Sequence, residues 1–280
     1  MSALPKNKSF DFLKQNAIYF VLLILLGIII AQDPTFLNVR NFSNILTQSS
    51  VRLIIALGVA GLLITQGTDL SAGRQVGLAA VISATLLQSM ENMNRVFPDL
   101  GEIPIPVVIL TVCAVGAVIG LVNGLVIAYL NVTPFIATMG TMQVFRGVAY
   151  VITGGYPVLN VPRNYRNVFN FKITSVMTFA VVIFFLFAIV ITFVLKKTKI
   201  GAYTYAVGGN EDAARLSGVR VERTKALIYG IGMLGTTLAA LVMIGRLGTG
   251  DPSTGQGYEM DAIAAAAIGG TSMAGGRGNI

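Results

Sequence analysis

A chain of 280 residues that is 54% hydrophobic and only 11% charged, with a mean hydropathy of +0.75, carries more apolar surface than a water-soluble fold of this size can bury. Its one cysteine, Cys113, and its lack of histidine exclude an internal disulfide, serine–histidine catalysis and a zinc-type centre built on soft or borderline ligands. The net charge of +8 reads as basic loops that fix orientation in a membrane, because no basic helix interleaved with aromatics is present to bind nucleic acid.

A bilayer core takes about 20 apolar residues per helix. Apolar runs near 17–32, 45–65, 76–90, 105–130, 134–153, 174–195 and 226–245 therefore predict spans, and a further run starts at Asp261 and is cut off at Ile280. The first run follows Lys6, Lys8 and Lys14. It is read as a retained span, since no small-residue cleavage site follows and Gln32-Asp33-Pro34 ends the helix. The 76–90 run is short and rich in small residues, which fits a tilted span, a re-entrant segment or a broken helix. Gly116, Gly120 and Gly124 repeat the GxxxG spacing that lets helix backbones approach closely, so the spans are expected to pack as one bundle over 1–280.

Lysines and arginines give the orientation. With the N-terminus inside, the inside set is Lys6, Lys8, Lys14, Arg74, Lys196, Lys197, Lys199, Arg215, Arg220, Arg223 and Lys225. The outside set is Arg40, Arg95, Arg163, Arg166, Lys172 and Arg246. The excess favours a cytoplasmic N-terminus. Glu91, Asp99 and Glu102 in the 91–104 loop suit the outside, whereas the basic 154–173 loop fits it less well.

Ionisable groups inside spans are expensive, so the exceptions carry information. Gln66 to Gln75 breaks the apolar field, and Asp69 or Ser71 is placed to cap a helix beginning near Ala72. Such a break lines a pathway or contacts a partner; an ordinary capped loop is the other reading. Arg52 is expected to snorkel to the outer surface, and Arg146 to pair with a carboxylate, Asp69 being one candidate. Asn123 falls inside its span, where hydrogen bonding to a neighbouring helix is favoured over contact with sugar hydroxyls. Asn131 to Pro134 reads as a tight inside turn before the next helix. In the loop 196–225, Asn210 is expected to cap a short helix with Glu211 and Asp212 at its positive end, Arg215 near its tail and Gly218 as its stop. A capped helix outside the membrane suits docking to a soluble partner; a solvated connector is the alternative.

The segment Gly208-Gly209-Asn210-Glu211-Asp212-Ala213-Ala214-Arg215-Leu216-Ser217-Gly218-Val219 resembles the coupling-loop signature of ABC import permeases of the ribose/galactoside family. Asp212 stands where the general motif has alanine. Asp69 to Gly73, Val132 to Met142, Asp261 to Ala265, Gly269-Gly270-Thr271-Ser272, Gly275-Gly276 and Arg146 in Phe-Arg-Gly match the same family, and Thr47 to Arg52 with Gln66 to Ala80 look most like its galactose/methyl-galactoside branch. The resemblance implies an all-α polytopic transmembrane bundle whose C-terminal spans are missing after Ile280. It implies a transport subunit, not an enzyme, in a bacterial inner membrane. A permease homodimer would pass a monosaccharide, a soluble ATPase subunit would hydrolyse ATP on the cytoplasmic side, and a periplasmic sugar-binding protein would deliver the substrate.

The resemblance places ATPase coupling on Gly209, Asn210, Glu211, Ala213, Ala214 and Gly218. Translocation-pathway candidates are Asp69, Ser71, Arg74, Asn123, Thr133, Arg146 and Asp261. No catalytic, cofactor-binding or metal residue is assigned, and no Gly-rich Lys-Ser/Thr loop for ATP is present in the sequence. Closure of the ATPase on the 211–218 helix would shift the spans between inward and outward states. The alternatives are a permease for ribose or another sugar, or an ion-coupled secondary transporter with Asp69 and Asp261 as its only candidate carboxylates.

Overall fold

The computed structural model describes residues 17–90, 92 and 95–278. Lys6, Lys8, Lys14, Glu91 and Ile280 lie outside the described residues. The helices are α1 (Ala17–Gln32), a 3-10 turn (Pro34–Leu37), α2 (Val39–Ile64), α3 (Ala72–Leu87), α4 (Ile105–Tyr129), α5 (Pro134–Thr153), α6 (Arg163–Asn170), α7 (Phe179–Lys197), α8 (Lys199–Gly209), α9 (Glu211–Leu216), α10 (Val221–Leu247) and α11 (Tyr258–Ile268). Five of them, α2, α4, α5, α7 and α10, are long and apolar enough to cross a membrane. Among the described residues no strand forms; two isolated bridges pair Val158 with Gly250 and Lys172 with Thr178.

Local chemistry sets the helix ends. The Asn38 side chain accepts from the Arg40 N–H at 3.0 Å to start α2. Pro134 at the first turn of α5 gives up no helical hydrogen bond there. Gly154 (φ +62°) and Gly248 (φ +76°) end α5 and α10 in the left-handed conformation that an L side chain resists.

Helix α10 is the axis of the bundle, with α2, α3 and α4 packed around it. Its most apolar stretch is 78% buried, which accounts for apolar residues on all its sides. The glycine stripe of α4 faces it: Gly116 lies against Thr237, Gly120 against the Tyr229 carbonyl and Met233, and Gly124 against Ala226. Gly58 of α2 meets the Gly232 carbonyl on another side. Lipid is as apolar as leucine, so close backbone packing of this kind is what holds helices together in a bilayer. By contrast α7 exposes Phe185, Leu186, Ile189, Val190 and Phe193, a uniformly apolar face suited to lipid.

Two segments interrupt the bundle. After α2, residues 65–71 return into it, and α3 starts beside Asn123 of α4, whose amide nitrogen is 3.3 Å from the Ser71 hydroxyl. Asn123 stands six residues before the end of α4 at Tyr129, about 9 Å by the helical rise, so the 76–90 run belongs to a helix that begins inside the bundle. After α10, residues 250–255 run beside α3, with Gly250 against Ala80 and Ala84 and Gly255 against Gly73. The run predicted from Asp261 starts three residues earlier, at Tyr258, and stops at Ile268, where Gly270 (φ +98°) turns the chain.

The 154–173 loop contains α6, which the sequence reading did not foresee. Its Tyr165 and Phe169 are buried, the Tyr165 hydroxyl donates to the Leu241 carbonyl at 3.0 Å, and the Asn170 amide donates to the Gly245 carbonyl at 3.0 Å. The helix covers one end of α10; Arg163 and Arg166 stay exposed, and the Arg166 side chain lies along Gly248 at that end.

Candidate functional site

Loop 196–225 forms two helices, not one. Thr198 caps α8 by accepting from the Gly201 N–H at 3.3 Å, and α9 follows at once, with the Asn210 side chain accepting from the Ala213 N–H at 2.8 Å. Gly218, at φ +84°, lets the chain turn from α9 into α10. Ala214 is the buried side of α9 and packs with Val207 and Val221. An ion network fixes α9 onto the first turn of α10. Lys225 Nζ is 2.6 Å from Glu211, Arg215 is 2.7 Å from Glu222, and Arg215 also reaches Glu211 at 3.4 Å.

The outward side of α9 carries Asp212, Ala213 and Arg215, and it ends at Leu216, which is 89% exposed. A lone exposed leucine on a surface is ordinary. This one ends a helix that carries a cap and three ion pairs, two of which join it to α10. Nothing in the sequence distinguishes it from the many other leucines. On α8, burial raises the Tyr205 phenol above its ordinary value, so its hydroxyl keeps its proton and donates to the Gly278 carbonyl at 3.1 Å.

The second constellation is the break before α3. Asp69 Oδ1 accepts from the Ser71 N–H at 2.8 Å and from the Ser71 hydroxyl at 2.6 Å. The expected side-chain cap of α3 does not form: Ser71 makes no side-chain bond to the helix, and the Asp69 carboxylate binds Ser71 within the loop instead. Thr138 of α5 accepts from the Leu70 N–H at 3.2 Å, and the Tyr229 hydroxyl of α10 donates to the Thr68 carbonyl at 3.4 Å. Asp69, Ser71 and Asn123 are all buried. One turn along α3, buried Arg74 is followed by Gln75, whose amide donates to the Thr237 hydroxyl at 3.0 Å.

Asp69→Leu leaves the buried Ser71 N–H and hydroxyl without their acceptor, at about 1–3 kcal/mol for each group. Asp69→Asn keeps an oxygen in the same place. The expected result is a clearly lower thermal midpoint in detergent for the leucine variant and a near-normal one for asparagine. Equal midpoints would show that the acceptor does not hold the break.

The structure therefore brings Asp69, Ser71 and Asn123 together and sets Arg74 in the first turn of α3. Thr133 is exposed at the turn before α5. Arg146 is exposed too, its guanidinium 5.7 Å from the Tyr150 ring. The carboxylate that pairs with an intraspan arginine is Asp261, and its partner is Arg52 at 2.8 Å, with the guanidinium over the Tyr258 ring at 4.7 Å. Asp69 is engaged by Ser71, so the expected Arg146–Asp69 pair does not form. The structure adds Gln66, Tyr229 and Leu216, which the sequence reading did not single out. Among the described residues no group of His, Cys, Asp or Glu is placed to hold a metal.

Comparison with known proteins gives the following. The family model described as branched-chain amino acid transport system / permease component matches residues 41–277. The chain is similar to the galactose/methyl galactoside import permease protein MglC of Haemophilus influenzae, with 61% identity over 290 residues, 100% of this chain and 85% of that protein. MglC of Escherichia coli is 50% identical over 291 residues, covering 100% and 85%. The ribose import permease protein RbsC of Escherichia coli is 36% identical over 262 residues, covering 92% and 78%. No solved structure matches the chain.

Proposed function

The chain belongs to the family of branched-chain amino acid transport system permease components, and on that premise we propose that it is the membrane-spanning permease of an ATP-driven importer for galactose and methyl galactosides. Support for the sugar comes from identity: 61% to a galactose/methyl galactoside import permease against 36% to a ribose import permease. The protein is a transport subunit of a multi-pass inner-membrane assembly. ATP is hydrolysed by a separate soluble subunit, and a periplasmic binding protein delivers the sugar. Two copies of the permease form the conduit, with the N-terminus and α8–α9 on the cytoplasmic side.

The observation that carries the coupling role is α9 itself. The helix is joined to the bundle axis by Glu211–Lys225 and Arg215–Glu222 and ends in the exposed Leu216, an arrangement suited to docking a partner and relaying its motion to α10. Gly209, Asn210, Glu211, Ala213, Ala214 and Gly218 shape this dock. For the pathway, Thr133 in the turn before α5 and Arg146 on α5 present exposed polar groups, and the apolar stretch of that helix is only 17% buried. Asp69, Ser71, Arg74 and Asn123 hold the wall behind it, and Asp261 anchors α11 to α2. An ion-coupled mechanism is less well supported, because Asp69 is bound by Ser71 and Asp261 by Arg52.

Leu216→Glu tests the dock directly. The side chain touches little of its own protein, so the variant is expected to reach the membrane at normal level. Galactose uptake and co-purification of the ATPase subunit should both fall, by about tenfold, as expected when about 1.4 kcal/mol of binding is lost. Normal co-purification and uptake would remove α9 as the dock.

A further inference from the structure

The chain leaves α2 through a helix stop that is built with the wrong residue. The Gly67 N–H donates to the Leu62 carbonyl at 2.9 Å and the Gln66 N–H to the Leu63 carbonyl at 3.0 Å, the paired bonds of a Schellman stop. The donor of the second bond adopts the left-handed conformation and is ordinarily glycine. Here it is Gln66, at φ +61°. A strained glutamine in place of a glycine needs a use for its side chain.

The structure shows that use. Gln66 Nε2 donates to the Gly208 carbonyl at 3.0 Å, across 142 residues of chain. Gly208 is the next-to-last residue of α8, two before the Asn210 cap of α9. The joint is tight, since a Cβ on Gly208 would run into the Ile64 carbonyl oxygen, and the Gly276 N–H also donates to that oxygen at 2.9 Å. From Gln66 the chain runs three residues to Asp69 and the buried break. A second route runs in parallel: Glu211 holds Lys225, and Tyr229, one turn further along α10, reaches Thr68. Beside the joint lies a cavity of about 270 Å3 lined by Gln66, Gly67, Thr133, Pro134, Lys225 and Tyr229, room into which the segment can shift.

We propose that Gln66 is a positioning residue for transport: its amide ties the docking helices to the segment bearing Asp69 and Ser71, so that motion of the dock is delivered to the buried break. The inference rests on α9 being the ATPase dock. A tie of this kind does its work in the ratio of sugar moved to ATP spent, whereas a mere helix stop does not.

The test is Gln66→Gly in the assembled transporter, reconstituted in liposomes with the ATPase subunit and the sugar-binding protein, and supplied with galactose and ATP. Glycine is the better stop, so the variant is expected to insert normally and to have a thermal midpoint equal to or above that of the parent. Galactose transported per ATP hydrolysed should fall by about fivefold or more. An unchanged ratio overturns the proposal, including the case in which transport and hydrolysis fall together. A variant that fails to reach the membrane overturns it as well, because glycine would then not be the better stop. Leu216→Glu run in parallel separates the failures: if it leaves both activities normal, the dock is wrong, whereas if it behaves as expected and the Gln66→Gly ratio is unchanged, only the tie is wrong.

Discussion

Replacing Glu211 by lysine is expected to cut sugar uptake sharply while leaving the chain in the membrane. Glu211 lies between Lys225, at 2.6 Å, and Arg215, at 3.4 Å, so Glu211→Lys gathers three cations where the network held α9 to α10. The stability lost is small. Pairs this exposed contribute about 0–1 kcal/mol each, and α9 keeps its Asn210 cap and its buried Ala214. The functional loss is large because the dock no longer has a fixed angle to the bundle axis. Uptake should fall by tenfold or more, within the range of about 5–150-fold expected for a broken coupling between sites. Combining it with Lys225→Glu restores an opposite-charge pair and should recover part of the uptake. Labelled-galactose uptake, normalised to the amount of permease in the membrane, decides the matter; normal uptake by Glu211→Lys would end the coupling assignment.

Gly120→Leu is expected to prevent assembly of the bundle. Gly120 is one of the close approaches of α4 to α10, where an added Cβ would meet the Tyr229 carbonyl and the Met233 side chain. A leucine forces the two helices apart along the largest interface in the fold. Overpacking of a yielding core costs about 1–3 kcal/mol. Here backbone has to move, and the glycines above and below lose their contacts together, so the total exceeds that range. Gly27→Leu is the control, since a Cβ on Gly27 of α1 has nothing within 4 Å. The permease should be absent from membranes for Gly120→Leu and present at the parental level for Gly27→Leu. Equal levels would mean that the glycine stripe does not set the helix spacing.

Much of this was legible because the period of the apolar residues and the helix ends are local properties. The runs at 105–130 and 134–153 fall almost residue for residue on α4 and α5, and the Asn210 cap with Gly218 places α9 correctly. The GxxxG spacing pointed to close packing, and α10 is the partner that fits it. Two helices were missed for different reasons. In α6 the apolar content is Tyr165, Val168 and Phe169 among polar residues; the i, i+4 pair that is buried was the signal available. In α8 three glycines read as loop, and only the spacing of its buried Gly201, Thr204, Val207 and Gly208 marks a packed face.

The site residues divide in the same way. Asp69 with Ser71 is a contact two residues long and could be anticipated, whereas Arg52–Asp261 spans 209 residues and Gln66–Gly208 spans 142, distances over which local pattern carries no signal. The exposure of Leu216 depends on where α9 lands, which is a tertiary fact. Arg146 was expected to find a carboxylate because a charge in a span is costly; it lies exposed on α5 with its guanidinium near the Tyr150 ring instead, a placement set by tertiary packing.

The central claim is that ATP hydrolysis on a separate subunit drives galactose through this permease. The most direct measurement is labelled-galactose accumulation in liposomes containing the permease, its ATPase subunit and an excess of the sugar-binding protein, with and without ATP and with and without a protonophore. The account predicts accumulation that requires ATP and the binding protein, resists the protonophore and is competed by methyl galactoside far better than by ribose. Uptake that persists without ATP and collapses with the protonophore would contradict it.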